Sequence, residues 1–121
     1  MARILVHITV GPDNPTKAAL AFLIAKSIVA EGHQLALFIA GDGVHLLTAQ
    51  AAASTEGLGT GKLQEHFEAL NAAEGTEFYY SGMSAKARNI APEQVVLRGA
   101  QAAMPATLVQ LTVACDKVLC Y

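Results

Sequence analysis

The sequence contains few charged residues, few aromatic residues and only two cysteines. Of its 121 residues, 15% are charged and 6% are aromatic, and tryptophan is absent. Two cysteines, Cys115 and Cys120, cannot supply the disulfide framework of a small secreted fold. The eight Lys and Arg residues are scattered and the net charge is -2, so no basic surface for nucleic acid is indicated. We therefore expect no nucleic-acid partner.

Long hydrophobic runs are also missing. The longest, from Ala18 to Ala25, ends at Lys26 and is far shorter than the roughly 20 residues that cross a bilayer. The first ten residues lack the apolar segment and the small-residue cleavage site of a secretory signal. These absences predict a cytoplasmic protein with no membrane partner.

Two glycine-containing stretches fall short of nucleotide-binding motifs. In "GLGTGKL", Glu56 stands where a phosphate-binding loop needs glycine, and Leu63 stands where it needs a hydroxyl. In "GDG", Gly41 to Gly43, the third glycine of a dinucleotide fingerprint would fall on Leu46. We therefore predict no bound cofactor.

The four histidines have no metal-binding spacing. None belongs to an HxH or HExxH pattern, so no metal site is predicted. His7 lies inside the first predicted strand, where a hydrogen-bonded core histidine is expected. His33 and His66 are expected to face solvent, and His45 follows a glycine at the predicted ligand-binding edge.

Hydrophobic residues are abundant, at 53% of the sequence. With so few charges to cover the surface, some apolar area should remain exposed, and such area on a soluble protein commonly contacts another copy of the chain. Self-association is therefore expected, and an alanine-rich monomer is the alternative.

Strand-like and helix-like segments alternate along the chain. Apolar, β-branched runs predict strands at 3–10, 34–41, 76–80 and 116–121, and a further short strand between Val95 and Ala102. Helical periodicity predicts helices at 15–31, within 41–54, and at 62–75, 83–89 and 105–114. The glycine-rich "TEGLGTG" is predicted to be a mobile loop. In the first helix, Asn14 is the expected N-cap, and the face that packs on the sheet is predicted to contain Leu20, Leu23, Ile24 and Ile28.

This alternation predicts one α/β domain over residues 1–121. It has a mostly parallel sheet of about five strands with helices on both faces. Ligands bind such sheets beyond the carboxyl ends of the strands. The loops at 11–14, 41–45 and 81–83 leave from that edge, so the candidate ligand-binding residues are Asn14, Asp42, His45 and Ser81.

Three stretches carry a family resemblance that spans nearly the whole chain. The "GPDNP" turn, the "GDGV" after the second strand and the "GMSAKAR" helix after the third strand resemble the DsrE/DsrF-like family of small sulfur-relay proteins, which includes the TusD type. The resemblance implies a flavodoxin-like, three-layer fold that assembles into trimers or hexamers. It also implies a persulfide-carrying cysteine after the third strand, and Ser81 occupies that position.

The exchange of cysteine for serine decides which chemistry is expected at residue 81. A thiolate accepts and releases sulfur by exchange, and a hydroxyl does not. Ser81 is therefore predicted to mark a site that is retained for binding only. Lys86 and Arg88 would help this site to bind an anion. Alternatively, Ser81 is only an N-cap, or a nucleophile activated by His45, and Lys86 and Arg88 form a solvated helix face.

Neither cysteine is predicted to replace the missing thiol. Cys115 lies beside Asp116, whose charge would raise the thiol pKa. Cys120 lies in "KVLCY", which is predicted to be a buried core strand.

Three functions are consistent with these residues. The first is a DsrE-like oligomer of sulfur metabolism, with a sulfur-carrier protein as a possible partner and no sulfur on Ser81. The second is a binding module for a small anionic metabolite or nucleotide. The third is a hydrolase or transferase that uses Ser81.

Overall fold

The structure is a computed structural model that describes residues Met1–Tyr121. It contains seven β-strands, five α-helices and two 3₁₀ segments. The strands are β1 (Arg3–Ile8), β2 (Gln34–Ile39), β3 (Glu56–Gly57), β4 (Gly61–Lys62), β5 (Thr76–Ser81), β6 (Gln101–Ala103) and β7 (Lys117–Cys120). The α-helices are α1 (Pro15–Ala30), α2 (Ala49–Ser54), α3 (Leu63–Ala72), α4 (Gly82–Ala87) and α5 (Pro105–Ala114), and the 3₁₀ segments are Gly41–Leu47 and Pro92–Gln94.

The main sheet has five parallel strands in the order β6-β5-β2-β1-β7. Within this sheet, β1, β2, β5 and β6 follow one another outward in the same direction, and the chain then crosses back to place β7 beside β1. This confirms the predicted α/β fold with a parallel sheet of about five strands. All five carboxyl ends lie at one edge, where the predicted ligand-binding loops begin.

The first face of the sheet is covered by α1 and α3 and holds most of the core. Strand side chains alternate, so Val6 and Ile8 of β1 join a cluster of 21 buried residues on this face. Phe22 of α1 packs edge-to-face on Phe67 of α3, with ring centroids 4.8 Å apart. The helix face predicted for α1 is corrected in part: Ile28 is buried as predicted and Ile24 packs against the core, but Leu20 and Leu23 are only half-buried because the side toward the sheet is formed mainly by alanines and Phe22. The buried residues of α1 are Ala18, Ala19, Ala21, Phe22, Ala25 and Ile28.

The second face is covered by α5 alone. Leu5, Ala36 and Phe38 of the sheet pack there with Leu111 of α5 in a cluster of four buried residues. This face therefore carries a helix, as predicted, but a much smaller core than the first face.

The stretch predicted to be a loop is a short antiparallel hairpin of β3 and β4. Thr16 of α1 holds it: the Thr16 hydroxyl accepts the Leu58 N–H at 3.1 Å, and the Thr60 hydroxyl donates to the Thr16 carbonyl at 3.0 Å. His66, predicted to face solvent, is buried beneath this hairpin, and its Nε2 donates to the Thr60 carbonyl at 2.8 Å. The prediction for His66 was wrong because the hairpin covers that face of α3.

Two predictions fail at the β7 edge. Cys120 was predicted to be buried, yet it is exposed because β7 is the outermost strand. His7 was predicted to be a hydrogen-bonded core residue, yet it is half-buried and its Nε2 has no partner. Burial lowers the pKa of the His7 imidazole, since it disfavours the charged form.

None of the five α-helices combines the length and the apolar composition that a bilayer crossing requires.

Candidate functional site

The loop after β2 and the helix after β5 meet at the carboxyl edge of the sheet. The backbone N–H of Gly41 donates to the Ser84 hydroxyl at 2.9 Å. The Arg88 guanidinium donates to Oδ1 of Asp42 at 2.9 Å. Two of the three predicted loops are therefore joined by one neutral hydrogen bond and one ion pair.

Two glycines allow the loops to approach this closely. A Cβ atom on Gly11 would lie 2.9 Å from the Cβ of Asp42, and one on Gly43 would lie 3.0 Å from the carbonyl oxygen of Ile8. Both distances are shorter than ordinary carbon contacts, so the "GPDN" and "GDGV" stretches need glycine where the loop after β1 contacts the loop after β2.

Ser81 is the last residue of β5 and the N-cap of α4. Its side-chain oxygen accepts the backbone N–H of Ser84 at 3.1 Å, and the residue is 9% exposed. No hydrogen bond joins Ser81 to His45, the base suggested by the sequence. The geometry matches the helix-capping interpretation of Ser81.

Arg88 and Lys86 are placed differently by α4. Arg88 is engaged twice, because it donates to the Ser84 carbonyl at 3.1 Å as well as to Asp42. Lys86 is exposed and lines a cavity of about 220 Å³ beside Tyr80 and Ile90, whose walls are mostly apolar. Arg88 therefore has an internal counter-charge, and Lys86 is the cation of this pair with no ion-pair partner.

His45 lies on a polar groove beside the ion pair. It borders two open cavities, of about 320 Å³ and 480 Å³, which share Thr48 and Gln50 as lining residues. Pro12 of the first loop lines the smaller cavity, and Glu93 lines the larger one. The groove offers the His45 imidazole and the Gln50 amide to a ligand, whereas the Thr48 hydroxyl already donates to the His45 carbonyl at 3.0 Å and accepts the Ala51 N–H at 3.4 Å.

Asn14 has the structural role that its position predicted. Its side-chain oxygen accepts the backbone N–H of Lys17 at 3.2 Å, which caps α1. Three of the six site residues predicted from the sequence are connected. Arg88 pairs directly with Asp42, and Ser84 links Arg88 to Ser81 because it bonds to both. Asn14, His45 and Lys86 bond to none of the others.

Ser84 is the residue that the sequence interpretation missed. It accepts the Gly41 N–H on its hydroxyl, and it gives its own N–H to Ser81. The signal available in the sequence was its position three residues after an N-cap serine, where the capped N–H is found.

The two thiols differ in exposure, since Cys115 is half-buried and Cys120 is exposed. Burial raises the pKa of Cys115, and the nearby carboxylates of Glu77 and Asp116 add to this while Arg3 opposes it. Cys120 is exposed and lies beside His7 in the pairing of β7 with β1. The effect expected from Asp116 is present, but burial is the larger cause.

The side chains form no group of three or more His, Cys, Asp and Glu residues that could hold a metal ion.

Comparison with known proteins gives matches of two kinds. A model of the DsrE/DsrF-like family matches residues 2–121. Among solved structures, the YchN protein of E. coli superposes with a TM-score of 0.82 at 20% identity, over 100% of both chains. MTH1491 of Methanobacterium thermoautotrophicum, described as a protein of unknown function, superposes with a TM-score of 0.71 at 14% identity, over 98% of this chain and 99% of its own. A search of curated proteins gives no significant match. The structural matches support the fold, and the family match covers nearly the whole sequence.

Proposed function

Because the chain belongs to the DsrE/DsrF-like family, we propose that it takes part in sulfur relay as a subunit that carries no sulfur on residue 81. The observation that supports this most directly is the Ser81 side chain, an oxygen already engaged as the cap of α4. A subunit of this kind contributes its fold and its surfaces to the relay, and the transferable sulfur resides on a partner.

The chemistry of exchange separates serine from cysteine at this position. A thiolate attacks the outer sulfur of a persulfide, a new S–S bond forms, and the donor leaves as a thiolate. A cysteine at a helix N-terminus is favoured for this step because its pKa is lowered there. A serine hydroxyl is not ionised at neutral pH and forms no persulfide, so the exchange has no starting point at Ser81.

The surroundings of Ser81 suit a structural role. The residue is almost fully buried, and its hydroxyl is bonded within α4. Two cationic side chains follow the capped turn in α4. Lys86 is exposed, and Arg88 is paired with Asp42. A sulfur-carrier protein is the proposed partner, and assembly into a trimer or hexamer is the proposed state of the subunit.

A persulfide-loading experiment tests the proposal. Both native thiols are first replaced in a Cys115→Ser, Cys120→Ser background, and the protein is incubated with a small-molecule persulfide donor. We expect intact-protein mass spectrometry to show no added sulfur atom on this background. Adding Ser81→Cys to the background should create a site that gains one sulfur atom and passes it to an acceptor thiol.

A matched control tests whether sulfur transfer depends on the location of the thiol at residue 81 or only on its exposure to solvent. Ser54→Cys, on the same background, places a thiol on an exposed position of α2. We expect slower or less complete onward transfer from position 54 than from position 81. Stable sulfur on the cysteine-free background, or rapid transfer from the native thiols of the unmodified protein, would contradict the proposal.

A second candidate function is binding of a small anionic metabolite or nucleotide at the groove along His45. The supporting observation is that two cavities share His45, Thr48 and Gln50 at the carboxyl edge of the sheet. A ligand present at 100 times its Kd should stabilise the native state by about 2.7 kcal/mol, which a thermal-shift panel of anions and nucleotides detects. The shift should vanish in His45→Ala and persist in Gln110→Ala, an exposed change on α5. No shift with any compound would count against this function.

A Ser81-dependent hydrolase or transferase stays a prediction without a supporting contact. No base is hydrogen-bonded to the Ser81 hydroxyl, which accepts the backbone N–H of Ser84. A serine-directed covalent probe that leaves Ser81 unmodified would argue against it.

A further inference from the structure

A small cavity lies at the carboxyl edge of the sheet, between β5, β6 and α4. Its volume of about 220 Å³ is below the roughly 300–1,000 Å³ of pockets that hold drug-sized ligands, so it has room for a small molecule. It shares no lining residue with the two cavities beside His45. Its apolar walls come from α4, from the chain that follows α4 and from β6, and they are formed by Ala85, Ile90, Pro92 and Ala102.

Tyr80 brings an unused hydrogen-bonding group to this cavity. The residue pairs with Ala102 in the register of β5 and β6, so both side chains point to the same face of the sheet. Its side chain belongs to the core and is 4% exposed, yet its hydroxyl makes no hydrogen bond within the chain. The unpartnered polar atoms that are sealed from solvent belong to His7 and His66. The Tyr80 hydroxyl is therefore the accessible end of a buried side chain, and it borders the cavity.

Lys86 supplies the single charged side chain that lines the cavity. It is exposed, and no Asp or Glu is among the other lining residues. Neither of the two ion pairs of the chain includes Lys86. A lysine on a solvated helix face needs no partner, but this one lines the same cavity as the free Tyr80 hydroxyl. Together the two side chains offer hydrogen-bond donors and one positive charge.

These groups select the chemistry of a ligand. A hydroxyl and an ammonium both donate hydrogen bonds, and such donors bind most strongly to an ionised acceptor. A carboxylate carries one negative charge, which the one ammonium balances. A phosphate would bring a second charge, and Arg88, the next cation along the chain, is already paired with Asp42. The apolar walls disfavour a ligand that is polar throughout, since its buried polar groups would lack partners.

We propose that this cavity binds a short-chain aliphatic monocarboxylate. The Tyr80 hydroxyl donates to a carboxylate oxygen, the Lys86 ammonium balances the charge, and the aliphatic chain packs on the apolar walls. A buried tyrosine usually has a hydrogen-bond partner for its hydroxyl, and here the ligand supplies it. The inference does not depend on the sulfur-relay role or on a ligand at His45.

Titration of isotope-labelled protein with butanoate at neutral pH, followed by NMR, tests the proposal. We expect the amide resonances of Gly82 and Ala102, which line the cavity, to shift until they saturate. Tyr80→Phe should weaken binding about ten-fold, because a hydrogen bond to a charged group is lost. It should not disturb the fold, since the hydroxyl has no partner within the chain. Lys86→Met should weaken binding several-fold and reduce its dependence on salt.

Matched controls come from a second tyrosine and a second lysine. The Tyr79 hydroxyl bonds to Glu77 and the residue does not line this cavity, and Lys17 is an exposed lysine of α1. We expect Tyr79→Phe and Lys17→Met to bind butanoate with the affinity of the unmodified protein. His45→Ala should do the same, which distinguishes this cavity from the groove along His45.

Three results would overturn the proposal. The first is an absence of saturable shifts at Gly82 and Ala102 with butanoate. The second is equally tight binding of butanamide, which has a similar shape and no charge. The third is an unchanged affinity in folded Lys86→Met and Tyr80→Phe, and the exposed Lys86 position keeps this test decisive if Tyr80→Phe does not fold. Sulfur loading is measured separately, so either idea can fail while the other stands.

Discussion

The oxygen atom at position 81 has a structural use that a sulfur atom would fill poorly. A hydroxyl accepts hydrogen bonds well, whereas the sulfur of cysteine is a weak acceptor. The cap that Ser81 provides to Ser84 therefore fits serine better than cysteine. A cysteine at this position would be more reactive but would cap α4 less well. Serine caps the helix better and lacks the reactive thiol.

Replacement of Ser81 by alanine measures the cap. We expect Ser81→Ala to lower the free energy of unfolding by about 1 kcal/mol, because the Ser84 N–H loses its acceptor in a nearly buried position. Urea denaturation checks the value. Ser54→Ala is the control, since its exposed hydroxyl bonds only to the Gln50 carbonyl, and it should change stability much less. Equal effects of the two substitutions would show that the cap contributes nothing.

His7 should make stability depend on pH. Burial holds its pKa in the folded chain below the ordinary value of 6.5. Between the two pKa values the unfolded chain binds more protons, so stability is full above about pH 6.5 and falls as the pH drops toward the folded-state pKa. Urea midpoints measured from neutral to mildly acidic pH should fall more steeply for the unmodified protein than for His7→Gln. Parallel pH profiles would contradict this assignment.

At the scale of elements, the carboxyl edge depends on close contact between loops. Strand β1 ends against the 3₁₀ segment Gly41–Leu47, and the same segment reaches α4 through the Asp42–Arg88 ion pair. That pair is partly exposed, so its contribution to stability is modest, and Gly11 and Gly43 leave the room that the close approach of the loops requires. The short element after β2 is thus fixed from both of its neighbours.

Two glycine substitutions distinguish a glycine that is needed because a side chain would not fit from a glycine that only adds backbone flexibility. A Cβ on Gly43 would lie 3.0 Å from the Ile8 carbonyl oxygen and 3.2 Å from the Val10 carbonyl oxygen, so Gly43→Ala should destabilise by about 1–3 kcal/mol. A Cβ on Gly82 would meet its nearest neighbour at 3.7 Å, an ordinary contact. Because Gly82 begins α4 without a positive φ, Gly82→Ala should stabilise by about 0.4–1 kcal/mol. Thermal unfolding compares the two, and effects of the same sign would refute this distinction.

At the scale of the whole molecule, the two faces of the sheet are covered unequally. The face under α1 and α3 holds a cluster of 21 buried residues, and the face under α5 holds a cluster of four. A protein with 15% charged residues has little polar surface with which to cover the second face. The apolar surface expected from composition is thus concentrated at α5 and β7.

The stability of the native chain should depend on its concentration. If a second copy covers the exposed apolar side chains of α5 and β7 (Val109, Val113, Val118 and Leu119), assembly stabilises the native state by mass action, and Tm rises with protein concentration. Calorimetry across about a hundred-fold range of concentration should show the rise in the unmodified protein. Val113→Glu should have a Tm independent of concentration, and a rise of equal size in both proteins would contradict the assigned surface.

Local sequence features predicted the elements well. Pro105 begins α5 and Ala114 ends it, as expected from a proline at the first turn and the run that follows. Asn14 caps α1, and Gly32 has a φ of 84° just after that helix, as glycine at such an exit predicts. The stretch between Val95 and Ala102 was predicted least precisely, since β6 occupies Gln101–Ala103 and ends one residue beyond that interval.

Contacts between distant elements could not be predicted in this way. The hairpin of β3 and β4 depends on Thr16 in α1, and the burial of His66 depends on that hairpin. The pairing of Arg88 with Asp42 joins residues 46 positions apart. Predicting any of these features requires knowing which surfaces meet in the folded chain. A periodic pattern in the sequence does not contain that information.

The sequence by itself determined the order of the main-sheet strands and of the helices, the α/β class, and a hydroxyl in place of a thiol at residue 81. These follow from hydrophobic spacing, from capping residues and from the identity of one side-chain atom, all of which are local. The tertiary structure alone decided that β7 is an exposed edge, that Ser81 and Arg88 are already bonded, and that α5 has an uncovered side. Those outcomes depend on strand order and on side-chain pairing across long sequence separations, because burial is a property of neighbours in space.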